Sequence, residues 1–156
     1  MKTGFPFILI MVLMISCVTR DICDQSNQSE LIARFKKGTL NNPEDTLVPG
    51  VSVYGLRQGM SDSLLYDSVT ASRLILPLDP RHGESRFVMN IGEQQDTLEI
   101  VHDNDAYLIS YDCGFGMLFN LRNIQHTGHV IRDVELINAQ VDAEFLQDEE
   151  HIWIFY

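Results

Sequence analysis

The 156 residues carry 22 acidic against 11 basic side chains, a formal net charge of −11 with the five histidines neutral. That balance argues against nucleic acid as a partner and against electrostatic docking on anionic lipid, both of which need surplus Lys and Arg. The length suits one ordinary domain with a real core.

The chain opens with a leader. Lys2 is the single positive charge of a short n-region, and Phe5 to Ile15 (FPFILIMVLMI) runs without a charge. A helix needs about 20 apolar residues to cross a hydrocarbon core, so this run reads as a signal-peptide h-region. It ends in Met14-Ile15-Ser16-Cys17, which resembles the lipobox of bacterial lipoproteins, with Met14 where Leu is commoner. The resemblance implies that the Cys17 thiol receives a diacylglycerol and that residues 1–16 are removed. The alternative is an ordinary cleaved leader in which Cys17 is incidental. Removal leaves 140 residues, a net charge of −12 and no later segment apolar enough to span a bilayer. The acyl chains would then be the membrane attachment.

Residues 17–30 are polar and read as a lipidated tether. Val18 follows the cysteine, not the Asp associated with retention at the inner membrane, so an outer-membrane destination is expected. The tether has no acidic run, which favours the periplasmic face.

From Leu31 the pattern turns to period two, the signature of strands with one buried face. Leu31, Ala33 and Phe35 share a face; residues 38–49 read as loop with a turn at Asn41-Asn42-Pro43. Val51, Val53 and Gly55 form a second strand, Leu64 to Tyr66 a third, and Leu74, Leu76 and Leu78 a fourth. Pro77 suggests an edge position or the end of that strand, because proline cannot donate to a ladder. Phe87, Met89 and Ile91 give a fifth, closed by Gly92, and Leu98 and Ile100 a sixth. His102-Asp103-Asn104-Asp105 reads as a polar turn into a seventh, where Tyr107, Ile109, Tyr111 and Cys113 share a face. Phe115, Met117, Phe119 and Leu121 follow after Gly114. Val130 to Val141 reads as one longer strand with a bulge near Leu136-Ile137. Ile152 to Tyr156 is apolar on both faces and is expected to lie centrally. The expected fold is an all-β, antiparallel, immunoglobulin-like β-sandwich of about 8–10 short strands over residues 31–156. A transmembrane barrel is disfavoured, because most of these strands fall short of the roughly 9–11 residues a membrane strand needs.

The order of features resembles a family of uncharacterised Bacteroidota lipoproteins carrying a domain of unknown function. The matching pieces are Cys17, Cys23, Leu31-Ile32-Ala33-Arg34-Phe35, Val51-Ser52-Val53-Tyr54-Gly55, Leu74 to Leu78 before Asp79-Pro80, and Cys113-Gly114. The resemblance implies compartment and fold, and carries over no catalytic residue.

With Cys17 acylated, Cys23 and Cys113 remain as an even pair in an oxidising compartment, and a disulfide between them is expected. Closing that span would contribute on the order of 4–5 kcal/mol in the chain-entropy picture. Two buried free thiols are the alternative. His126 and His129 flank Thr127-Gly128 without a third ligand, which makes a poor metal site. His102 to Asp105 clusters oxygens that suit calcium but lacks the glycine and distal glutamate of an EF-hand. Asp67, Asp79, Asp103, Asp105 and Asp112 could furnish a carboxylate pair, yet no spacing singles two out. There is no Gly-x-Ser-x-Gly elbow and no phosphate loop, so no catalytic residue, metal or cofactor is assigned. The sequence therefore points to a non-catalytic binding or scaffolding module of the cell envelope, anchored in the membrane by its N-terminal lipid and facing an envelope protein. A small periplasmic hydrolase or carbohydrate-binding accessory protein is the competing class. Tyr107, Tyr111, Phe115 and Trp153 are the candidate contact surface.

Overall fold

The structure is a computed structural model and describes residues 29–57, 59–143 and 149–156. The expected signal peptide and most of the expected tether, including Cys17 and Cys23, lie outside the described residues.

The period-two face of the first segment becomes β1 (Glu30–Thr39), with Leu31, Ala33 and Phe35 almost fully buried. One edge of β1 is shared by two short strands. Its first half pairs antiparallel with β5 (Arg73–Pro77), and its second half with β2 (Asn42–Asp45). The other edge pairs in parallel with β11 (Ile152–Phe155), which in turn pairs antiparallel with β9 (Asp133–Leu136). The C-terminal run is thus central, as its two-sided apolarity requires, but its parallel pairing departs from the purely antiparallel expectation. Proline 77 ends an edge strand. The loop expected over residues 38–49 is a correction: Asn42 to Asp45 fold back on β1 as β2. Gly38 permits this at φ +90°, because a Cβ there would lie 2.5 Å from the Asn42 carbonyl oxygen.

The second sheet has six strands in the order β10-β8-β7-β6-β3-β4, all antiparallel. They are β3 (Val48–Leu56), β4 (Ser63–Ala71), β6 (Glu84–Ile91), β7 (Gln94–Ser110), β8 (Gly114–His126) and β10 (Gln140–Val141). Neither sheet closes on itself, so the molecule is an all-β sandwich. The inner faces meet in one core: Leu31, Phe35, Leu74, Leu76, Ile152 and Ile154 from one sheet, Val51, Val53, Phe87, Met89, Leu98 and Ile100 from the other. Among the described residues no helix is long and apolar enough to cross a membrane.

Two expected boundaries are corrected. His102 to Asp105 is not a turn, because β7 runs through it. The ladder slips between Val101 and His102, where Arg122 of β8 stands opposite as the extra residue. That bulge turns His102 into the core while Asp103 stays outside, ion-paired with Arg122. The expected strand over residues 130–141 is two strands in different sheets, β9 and β10. The face change read at Leu136-Ile137 is the crossing between layers, and the Ile137 and Asn138 amides there donate to the His151 carbonyl.

Candidate functional site

Joining His102 to the strands on either side makes the β7–β8 hairpin the longest feature of the fold. Its outer half outruns the core, and from Asp103 to Ser110 no residue of β7 is fully buried. The hairpin closes through Tyr111, Asp112 and Cys113, with Gly114 at φ +76° and the Ser110 hydroxyl accepting the Cys113 amide at 2.9 Å. At this tip Tyr111 is 97% exposed, Phe115 68% and Leu108 48%. Tyr107 belongs to the framework: it is half-buried, its ring lies over Gly116, and its hydroxyl accepts the Ala143 amide at 3.4 Å.

Trp153 lies elsewhere, on the outer face of the other sheet. Its indole N–H donates to Glu150, and the Lys36 ammonium sits 4.7 Å from its ring centroid. Lys36 also pairs with Asp45 at 2.5 Å, and Arg34 with Glu150 at 2.5 Å. Trp153 is therefore held under an ionic lattice that covers β1 and β11. Of the four candidate contact residues, Tyr111 and Phe115 come together as an exposed pair.

The chain enters the domain at the arm of this same hairpin. The Ser29 hydroxyl donates to the Met117 carbonyl on β8, four residues from Cys113.

A polar chain runs behind the arm. The Ser85 hydroxyl accepts the Asp79 amide at 2.8 Å and lies 2.9 Å from His102 Nε2; His102 Nδ1 is 2.5 Å from Asn104 Oδ1. Asn104 donates in turn to the His82 carbonyl at 2.7 Å. Nucleophile, base and orienter stand in the order that hydrolases use. Ser85 and His102 are only 5% and 2% exposed, and desolvation lowers the basicity of His102. The network ties residues 79–83 to β6 and β7. Burial alone would raise the Asp79 pKa, but the Arg81 amide and His82 outweigh it and hold the carboxyl below its ordinary range. Two cavities flank this loop. One, of about 280 Å³, lies where Gly55 leaves space beside Leu65 and Phe87, and Arg57, Arg81 and Ser85 also line it. The other, of about 250 Å³, lies between Leu78, Met117 and Phe119 at the chain entry.

Of the remaining sequence candidates, Asp67, Asp105 and Asp112 are exposed, and His126 and His129 lie at a loop that Asp96 gathers. Asp96 is 1% exposed, and its carboxylate accepts the amides of His129, Val130 and Ile131, the Thr127 hydroxyl and a His129 ring nitrogen. His129 thus serves the loop that Asp96 gathers, while His126 Nδ1 turns to the Thr127 carbonyl. Among the described residues, no three His, Cys, Asp or Glu side chains converge as a metal site. Asp96 and His151 are the polar residues the sequence did not single out. His151 Nδ1 accepts the Ile32 amide at 2.9 Å, its own amide donates to the Ile32 carbonyl, and burial drops its pKa to about 4.

Fold and surface define a two-sheet β-sandwich with an exposed aromatic hairpin tip. Residues 50–156 match the family of unknown function DUF6452, and the chain belongs to that family. No curated protein and no solved structure matches it.

Proposed function

We propose that this chain is a lipid-anchored protein of the bacterial cell envelope, of the Bacteroidota lipoprotein type. Residues 1–16 act as the signal peptide, Cys17 carries the diacylglycerol, and the sandwich stands at the periplasmic face of the outer membrane. Its role is non-catalytic, binding or scaffolding another component of the envelope through the β7–β8 tip. The observation that supports this most is the entry of the chain beside that tip. Ser29, the first described residue, is bonded to the arm of the hairpin that carries the exposed aromatic residues at its tip.

The same placement supports a Cys23–Cys113 disulfide. From Met117 back to Cys113 is about 13 Å of strand. The six residues from Ser29 back to Cys23 reach up to ~20 Å. The bridge closes without strain on the chain, and a secreted compartment would keep it oxidised. The hydrolase alternative would have to use the Ser85–His102 pair, whose hydroxyl is buried and already holds the Asp79 amide.

Peptide mapping of unreduced protein from the outer-membrane fraction tests the arrangement. It should return a linked Cys23–Cys113 fragment. Complete alkylation of both thiols in the unreduced protein would overturn the bridge, and recovery of the chain only from the soluble fraction would overturn the anchoring.

A further inference from the structure

We infer that the component met by the hairpin tip is the lipid surface itself, with Tyr111 and Phe115 seated in the interfacial layer of the bilayer that holds Cys17. This rests on the lipid anchoring proposed above and names the partner of that same surface.

Three features of the tip point to lipid. The first is reach. With Cys23 bonded to Cys113, six residues separate the acylated cysteine from the tip, at most ~20 Å of extended chain. The tip cannot then stray far from the headgroups. The second is composition. Residues 106–118 (AYLISYDCGFGML) carry one charged side chain, Asp112, in a chain that is 21% charged. A net negative protein meets a membrane most easily where its own charge is thinnest. The third is the chemistry of the exposed groups. Leu108 and Phe115 offer apolar area, and Tyr111 offers a ring with a hydroxyl, the kind of amphipathic aromatic enriched where acyl chains meet water.

The opposite end of β7 supplies the contrast. The β6–β7 turn is Gly92-Glu93, followed by Gln94 and Gln95, all four exposed. Seventeen residues of strand put about 55 Å between the two ends. One end of a single hairpin strand would face lipid and the other the periplasm.

The test uses the full lipidated protein in phosphatidylethanolamine vesicles brominated on the acyl chains near the headgroup. In a Trp153→Phe background, one variant carries Phe115→Trp and another Glu93→Trp; both replaced positions are exposed, so folding is spared. Tryptophan at 115 should be quenched several-fold more strongly than tryptophan at 93. Equal, weak quenching at both positions, in protein whose mass carries the diacylglycerol, would overturn the placement alone. Shielding of position 115 from aqueous iodide only when other envelope proteins are added, without quenching by bromolipid, would overturn it in favour of a protein contact. A mass lacking the diacylglycerol would remove the anchoring and this inference with it.

Discussion

Replacing Asp96 with alanine should be among the most damaging single changes in the domain. Its carboxylate gathers the loop from Thr127 to Ile131 by accepting three backbone amides, at 2.9, 2.7 and 2.7 Å, besides the Thr127 hydroxyl and the His129 ring. Each buried donor left without an acceptor costs about 1–3 kcal/mol. The loop is exposed at Thr127 to His129, so water would reach part of the vacated site, whereas Ile131 is only 1% exposed. A loss of roughly 3–4 kcal/mol follows, a large fraction of a typical domain's 5–15 kcal/mol. Urea unfolding at pH 7, followed by fluorescence of Trp153, measures it. Those donors hold the Asp96 pKa far below its ordinary 3.8, against the burial that would raise it. A depressed carboxylate stabilises the fold above its unfolded pKa and loses that effect as pH falls toward the folded value. Asp96→Asn should therefore flatten the loss of stability that the parent shows below about pH 4. An alanine variant within 1 kcal/mol of the parent would refute the reading of Asp96 as the loop's organiser.

Three further outcomes are expected. His151 is neutral in the fold, because Nδ1 must accept the Ile32 amide, and its pKa falls from 6.5 to about 4. The unfolded chain binds that proton first as pH drops. Stability should be complete above pH 6.5 and decline by about 3 kcal/mol between there and pH 4. His151→Asn should remove that slope, and an unchanged slope in denaturant midpoints would contradict the assignment. Tyr66 accepts the Ile75 amide at 2.8 Å and donates to the Ile75 carbonyl, tying β4 to edge strand β5 across the layers. Tyr66→Phe should cost about 1–2 kcal/mol, read from the shift in urea midpoint. Gly116 lies under Tyr107, with a Cβ there 3.1 Å from the ring and 3.0 Å from Ile109. Gly116→Val should displace that ring and quicken amide exchange along the hairpin arm, and unaltered exchange would show that the arm does not depend on this contact.

Period-two alternation made the sandwich legible because each strand buries one face, and Leu31-Ala33-Phe35, Val51-Val53 and Leu74-Leu76 all line the core. Ile152 to Phe155 was legible as a central strand for the complementary reason, having no polar face to expose. What alternation does not encode is pairing. Nothing local says that the last strand runs parallel to the first, a contact across nearly the whole chain. The bulge at His102 was hidden because a polar tetrapeptide ordinarily marks a turn; here a buried imidazole is supplied with Ser85 and Asn104 as partners. Asp96 and His151 were invisible for the same reason. Their importance comes from backbone amides that other segments deliver. Tyr111 and Phe115 were named as contact residues from composition, whereas their separation from Trp153 needed the sheet order.

The N-terminus of the mature protein decides whether the domain is lipid-anchored. Intact mass of protein extracted from membranes with detergent should show a chain beginning at Cys17 and carrying a diacylglycerol on that thiol. A mature protein that begins at any other residue and partitions into the aqueous phase would contradict it.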